Sequence, residues 1–306
     1  MKKVLVATEK PFAKEAVEQI KKIGSEAGYE IVLLEKYSTV NDLLIAVTDV
    51  EAMIIRSDKA TREVIEAGKK LKIIVRAGAG YDNIDLQAAT DNNVVAMNTP
   101  GQNSNAVAEL ALGMMVYHAR GFFNGKSGSE LRNKSLGIHA YGNVGRYVAE
   151  IAKGFGMKIY AFDPFVEKTT IEKDGVNVVD SEKELYKTCQ YISLHIPAND
   201  KTKNSINYNL LNEMPKGAVL VNTARKEVID EEGLLKLMEE RNDFAYLSDI
   251  APDNAELLKE KFADRVFFTP KKMGAQTAEA NINAGIAAIN QIIAFLEKGD
   301  TKFKVN

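Results

Sequence analysis

The stretch Leu136-Gly137-Ile138-His139-Ala140-Tyr141-Gly142-Asn143-Val144-Gly145-Arg146 decides how this chain is read. An apolar run enters a short glycine-bearing turn and leaves as an amphipathic segment, which is the order strand, turn, helix. In the pattern GxGxxG the first glycine eases the turn and the second admits a pyrophosphate against the backbone. The third lets the helix pack closely on the strand. Here the pattern is AxGxxG. Ala140 replaces the first glycine, while Gly142 and Gly145 keep the two positions where a side chain obstructs most. The helix start still offers free amides to phosphate. Asp163 ends the next strand 18 residues after Gly145 (163 − 145), where a carboxylate takes the adenosine ribose hydroxyls. Its neighbours Phe162, Pro164 and Phe165 bring no cation for a 2′-phosphate, so NAD is expected rather than NADP. Tyr141 is expected to pack against the nucleotide or an adjoining domain.

Outward from this turn the same alternation repeats. Toward the N-terminus the β-branched runs Val4-Leu5-Val6, Ile31-Val32-Leu33-Leu34, Met53-Ile54-Ile55, Ile73-Ile74-Val75 and Val94-Val95-Ala96 alternate with amphipathic stretches such as 12–27. A long helical pattern over 103–120 follows, with an Asn/Ser cluster as N-cap and Gly121 as its stop. Beyond the turn come strand patterns at 159–162, 191–194, 218–221, 244–247 and 266–268, then a last helix over 276–296. Strands alternating with helices specify an α/β protein with parallel sheets, and 306 residues accommodate two such domains. Residues 121–134 are small and polar, an exposed connection. It reads either as a mobile loop or as an arm embracing a partner subunit, because Phe122 and Phe123 are ill placed in water.

Hydrophobic residues make up 45% and charged residues 27%, with a net charge of −2, which argues against a nucleic-acid binder or a disordered chain. Any anionic ligand must therefore be held by local charge. The single cysteine, Cys189, lies in an apolar run and reads as a small buried hydrophobe in a reducing compartment, not a nucleophile. No secretory opening and no apolar run of about 18 residues is visible, so a soluble cytoplasmic protein without a membrane partner is expected.

Further stretches point to a family. They are Arg76-Ala77-Gly78-Ala79-Gly80-Tyr81-Asp82-Asn83-Ile84-Asp85, Asn98-Thr99-Pro100-Gly101-Gln102-Asn103-Ser104, Ala108-Glu109-Leu110, Val221-Asn222-Thr223-Ala224-Arg225 and Met273-Gly274-Ala275-Gln276-Thr277. Jointly the chain resembles the D-isomer specific 2-hydroxyacid dehydrogenase family, most closely its branch acting on D-3-phosphoglycerate. The resemblance implies NAD-dependent oxidation at C2 by hydride transfer, yielding 3-phosphohydroxypyruvate for L-serine synthesis, in a homodimer built around the cofactor domains. It implies a flavodoxin-like parallel-sheet substrate domain at 1–98, to which 271–306 return. The doubly wound Rossmann-type NAD-binding domain then occupies 99–270, and the regulatory domain of longer relatives is expected to be absent.

Carried over residue by residue, the resemblance makes Arg225 the clamp on the substrate carboxylate. A planar guanidinium suits that task because it can hold both oxygens at once. The backbone amides of Gly78, Ala79 and Gly80 would form a nest for the same carboxylate. Arg56, assisted by Lys59, would meet the phosphate unless an ion pair with Asp58 occupies it. Arg56 and Arg225 each follow an apolar strand, and both are expected to face one cleft between domains. The cofactor would be held by Asn105, Val107, Asn143, Val144, His195, Ile196, Pro197, Thr202 and Gly274, with Thr223 and Asp249 near the nicotinamide. His195 is then a cofactor wall, and His118 and His139 are satisfied core histidines. No spacing joins the three as metal ligands.

The chain also departs from the family. Lys272, beside Lys271, holds the place of the acid/base histidine, Asn254 that of its orienting glutamate, and Lys226 that of the glycine after the arginine. A lysine subgroup of the family resembles this. Lys272 would have to be neutral part of the time, with burial, Arg225 and the positive nicotinamide ring each disfavouring its ammonium. Asp253 or Glu256 would orient it. A hydroxypyruvate or glyoxylate reductase, or an NAD(H)-binding regulator without catalysis, remain the competing readings.

Overall fold

Every apolar run named above forms or overlaps a strand in the computed structural model, which describes residues 1–306. The strands are β1 (Lys2–Thr8), β2 (Tyr29–Glu35), β3 (Ala52–Ile55), β4 (Ile73–Arg76), β5 (Val95–Asn98), β6 (Ser135–His139), β7 (Lys158–Phe162), β8 (Asn177–Val178), β9 (Tyr191–Leu194), β10 (Val219–Asn222), β11 (Ala245–Ser248) and β12 (Val266–Phe268). Only β8 was not anticipated; two residues are too few for a periodic pattern.

They form two parallel sheets, ordered β2-β1-β3-β4-β5 and β12-β11-β10-β9-β6-β7-β8. The first is the flavodoxin-like order. Counted from β6, the second is the Rossmann order 3-2-1-4-5-6 extended by one strand, with its switch point where β6 pairs β9. Parallel strands need crossover helices on both faces, so side chains pointing either way are buried. Leu220 and Tyr246 enter one core of the second sheet, and their neighbours Val219, Val221 and Leu247 enter the other.

The chain divides into two compact units, Met1–Asn103 with Gln276–Asn306, and Ser104–Ala275. The helix Ala278–Lys298 returns to the first unit, its start capped by the Thr277 side chain, which accepts from Ala280 N at 3.1 Å. It lies close on the helix Lys14–Glu26: a Cβ on Gly285 would come within 3.0 Å of Ile20 Cδ1. Residues 271–275 stay with the second unit. There the Asp249 carboxylate accepts from the amides of Met273 at 2.7 Å and Gly274 at 2.9 Å.

Several expectations about single residues need correction. The helix Ser104–Ala119 does stop at Gly121, which takes φ +57° just past its end and also opens the 3-10 turn Gly121–Phe123. Phe122 is half-buried, with ring centroids 5.1 Å from Tyr117 and 5.6 Å from His118, so only Phe123 is ill placed in water. His139 is satisfied, its Nδ1 3.2 Å from the Tyr186 hydroxyl. His118 is not: its Nδ1 is buried without a partner, and burial pulls its pKa below the ordinary value. The Cys189 thiol is buried and pushed up to about 12, which keeps it protonated and inert. No helix is long and apolar enough to cross a membrane.

The glycine turn contains one close approach and one strained residue. A Cβ on Gly145 would sit 2.5 Å from Ala140 O and 3.0 Å from Ile138 Cγ2. Ala140 itself takes φ +77°, a left-handed conformation that disfavours a side chain. Gly145→Ala should therefore cost about 1–3 kcal/mol of stability. Ala140→Gly should gain about 0.5–1 kcal/mol, because relief of strain outweighs the added freedom of the unfolded chain. Urea unfolding of both variants measures this, and a Gly145→Ala protein as stable as the parent would contradict the close helix packing.

Candidate active site

The second sheet presents its carboxyl edge at the switch point, where β6 runs into Ala140 and β9 into His195. A Cβ placed on Gly142 would meet nothing within 4 Å, so this position faces open space directly before the helix Asn143–Gly154. Asp163, at the end of β7, folds back on the turn: it accepts from Tyr141 N at 2.7 Å and from Phe165 N at 2.8 Å. Two backbone amides thus fix its orientation and leave further lone pairs for hydroxyl donors. Tyr141 does not pack toward a nucleotide. It is 1% exposed within the core, and its hydroxyl donates to Asp174 at 3.1 Å.

At the end of β10 a buried asparagine shapes the turn that carries the arginine. Asn222 Oδ1 accepts from Ala224 N at 2.9 Å, and Asn222 Nδ2 donates to Arg225 O at 2.9 Å. Sequence reading had quoted Asn222 without giving it a task; an amide at the last strand position, bracketing the following turn, is the signal that was available. Arg225 is half-buried, and its side chain donates within the protein only to Ala224 O, at 3.0 Å. The Thr223 hydroxyl oxygen beside it is buried without a partner. An open cradle at Gly142 and an orphaned hydroxyl at Thr223 are what a dinucleotide laid along this edge would fill, so the residues present fit NAD.

Asp249, 1% exposed, ends up inside a loop. Besides the two amides already named it accepts from Thr269 Oγ1 at 3.0 Å. Asp249, Gly274 and Val107 meet: a Cβ on Gly274 would lie 3.0 Å from Asp249 Oδ2 and 3.1 Å from Val107 Cγ2. Asp249 thereby anchors the segment bearing Lys271 and Lys272, both of which are exposed. The carboxylates expected to orient Lys272 each hold another lysine. Asp253 pairs with Lys226, and Glu256 pairs with Lys259 at 3.0 Å on an exposed helix face. Asn254 is tied through its amide N to Glu231 Oε2 at 3.2 Å, and its own Oδ1 is buried without a partner.

His195 Nε2 lies 2.9 Å from Ser193 Oγ, and its pKa is pushed down to about 3 by burial and by the neighbouring His139. A ring that stays neutral at physiological pH suits a wall and not a proton shuttle. After it come Ile196, which is buried, and Pro197, whose carbonyl accepts from Thr202 Oγ1 at 2.5 Å. Thr202 therefore closes its own turn. Asn105 is exposed and donates to Glu109 one helical turn on, at 2.7 Å; Asn143 is exposed and Val144 half-buried at the start of their helix.

In the first unit, Arg56 follows β3. Its guanidinium donates to Lys10 O at 3.2 Å, to Pro11 O at 3.0 Å and to Asn281 Oδ1, and lies 5.0 Å from the Phe12 ring centroid. The feared ion pair with Asp58 does not form. That carboxylate instead accepts from Glu9 N and from the Tyr37 hydroxyl, each at 2.7 Å, and from Arg56 N at 3.3 Å. Lys59 is exposed. The expected nest is smaller than three amides: Gly78 N already donates to Arg76 O at 2.9 Å, which leaves those of Ala79 and Gly80. Arg76, which the sequence reading passed over, covers Gly78 so closely that a Cβ there would clash with its guanidinium, and its Nε donates to Arg56 O at 3.0 Å.

Comparison with known proteins gives this geometry a setting. Residues 112–271 match the model of the D-isomer specific 2-hydroxyacid dehydrogenase NAD-binding domain. D-3-phosphoglycerate dehydrogenase of Methanocaldococcus jannaschii is 36% identical over 310 residues, covering 95% of this chain and 57% of that protein. This chain thus spans little more than half the length of that relative. Hydroxypyruvate reductase of Thermotoga maritima is 36% identical over 281 residues, 86% of this chain and 90% of its own. The crystal structure of NAD+-bound 3-phosphoglycerate dehydrogenase from Entamoeba histolytica superimposes with a TM-score of 0.87 at 49% identity, covering 100% of this chain and 98% of that one. A sheet order, a glycine turn and an arginine turn that agree with a match over nearly the whole chain leave one conclusion: this protein belongs to the D-isomer specific 2-hydroxyacid dehydrogenase family.

Proposed function

We propose that this protein oxidises D-3-phosphoglycerate to 3-phosphohydroxypyruvate with NAD, on the route to L-serine, as a cytoplasmic homodimer. The observation that carries the substrate is Arg56. All its side-chain hydrogen bonds run to neutral oxygens, so a half-buried cation keeps its charge for an external anion. A phosphorylated hydroxy acid offers one. Arg225, with its donors likewise uncommitted to any carboxylate, takes the substrate carboxylate, and the Ala79 and Gly80 amides support it. The names of the Methanocaldococcus and Entamoeba relatives favour the same substrate.

NAD, when bound, supplies the acceptor for the electron pair that leaves C2. The Gly142 turn and the Asn143–Gly154 helix start receive its pyrophosphate, with Asp163 at the adenosine ribose. Asn105, Val107, Val144, His195, Ile196, Pro197, Thr202, Thr223, Asp249 and Gly274 complete its seat. Lys272 takes the hydroxyl proton as C2 is oxidised and, protonated, returns it in the reverse direction. Asp249 holds the backbone on which that lysine sits, so the main chain contributes to its positioning. The exposed Phe123, at the end of the long helix, favours a second copy as its cover.

The name of the Thermotoga relative favours a second reading, reduction of hydroxypyruvate. A comparison of D-3-phosphoglycerate with D-glycerate as reductants of NAD separates the two. The phosphorylated acid should be favoured at least tenfold in kcat/KM, and Arg56→Gln should erase that preference through KM. Equal use of both acids would remove the phosphoglycerate reading. Lys272→Met should lower turnover about a thousandfold while NADH still binds, as fluorescence titration would report; near-normal turnover excludes the lysine. Gly142→Val should fold normally yet weaken NADH binding more than tenfold.

A further inference from the structure

The Arg56 guanidinium does more than avoid acids; it is aimed. Of its five N–H groups, the two on Nη1 are used by the carbonyls of Lys10 and Pro11, at 3.2 and 3.0 Å, and one on Nη2 by Asn281 Oδ1. That leaves the Nε–H and the second Nη2–H. The flat face of the group rests on Phe12, which is only 5% exposed, at 5.0 Å from the ring centroid. A long, flexible side chain is thereby reduced to one orientation, by three neutral acceptors and an aromatic face.

Asn281 is itself locked. Its Nδ2 donates to Thr277 O at 2.7 Å, four residues back along the helix, so the amide cannot turn over and its Oδ1 must face the guanidinium. Thr277 in turn caps that helix. The arrangement also places a cation against the first turn of a 21-residue helix, the end that repels positive charge and attracts negative. An anion on the open guanidinium edge is favoured by both the arginine and the helix end.

We infer that Asn281 is a positioning residue for phosphate selectivity: its locked carbonyl sets which edge of Arg56 faces the substrate anion without neutralising it. This rests on the phosphorylated-substrate reading above. Had the position held an acid, the same contact would form an ion pair, and Arg56 would lose the charge that distinguishes a phosphorylated acid from an unphosphorylated one.

Asn281→Leu removes the acceptor at nearly equal volume, and Asn281→Asp replaces it with a charge; the second carries the test if the first does not fold. For each, kcat and KM are measured with D-3-phosphoglycerate and with D-glycerate, alongside NADH affinity and the urea midpoint. Both variants should raise KM for the phosphorylated acid about tenfold or more, with kcat within about twofold. D-glycerate kinetics and NADH binding should stay unchanged, and the Asp variant should be the more severe. A parent enzyme that prefers D-3-phosphoglycerate and variants that keep the same preference would overturn the inference alone. An equal loss on both acids would do the same, because it marks a merely structural residue. A parent without any preference would overturn both the inference and the substrate reading beneath it.

Discussion

Burial of both faces is the constraint on which each sheet depends. A strand such as β9 or β10 has every side chain inside, one set toward each helical layer, and its backbone is consumed by its neighbours. Nothing along the length of such a strand is available to a ligand. Chemistry can appear only where the strands end, and it is at these ends that Ala140, Asp163, His195, Arg225 and Asp249 follow β6, β7, β9, β10 and β11. The same holds in the first unit for Arg56 after β3 and for the glycines after β4. The architecture sorts residues into those that make a core and those that lie at an edge, with few between.

At those edges the charges are treated unequally. Asp58, Asp163 and Asp249 are each satisfied by backbone amides or hydroxyls of their own unit. Arg56 and Arg225 are steadied by carbonyls and an amide oxygen. The acids are steadied by donors of their own unit, with Asp163 keeping lone pairs for hydroxyl donors, and the cations are oriented by neutral oxygens. A protein with a net charge of only −2 can in this way offer local positive potential to a small anion without a basic surface. Keeping a guanidinium half-buried costs solvation, which lowers the pKa of Arg56; the charge of Asp58, three hydrogen bonds and the Phe12 face offset it in part.

The fold was legible because its signals are local. Continuous apolar runs mark doubly buried strands, and glycines at a fixed spacing mark a turn that must admit a backbone or a ligand. The turn that carries Arg225 beyond β10 was legible for the same reason, since it lies within one short motif. The errors lie where a partner is distant. Tyr141 adjoins the glycine turn in sequence, yet its hydroxyl finds Asp174, 33 residues on.

The sequence by itself determined the α/β class, the dinucleotide turn and the residue types that could bind an anion, because periodicity and steric need operate over a few neighbouring residues. Only the tertiary structure decided which of those charges survive. Arg56 keeps its charge because Asp58 is turned toward backbone amides and a tyrosine, and because Asn281, 225 residues along the chain, closes over the guanidinium as a neutral amide. Hydrogen-bond partners are chosen by proximity in space, and the packing of a helix from the far end of the chain has no signature in the residues around Arg56.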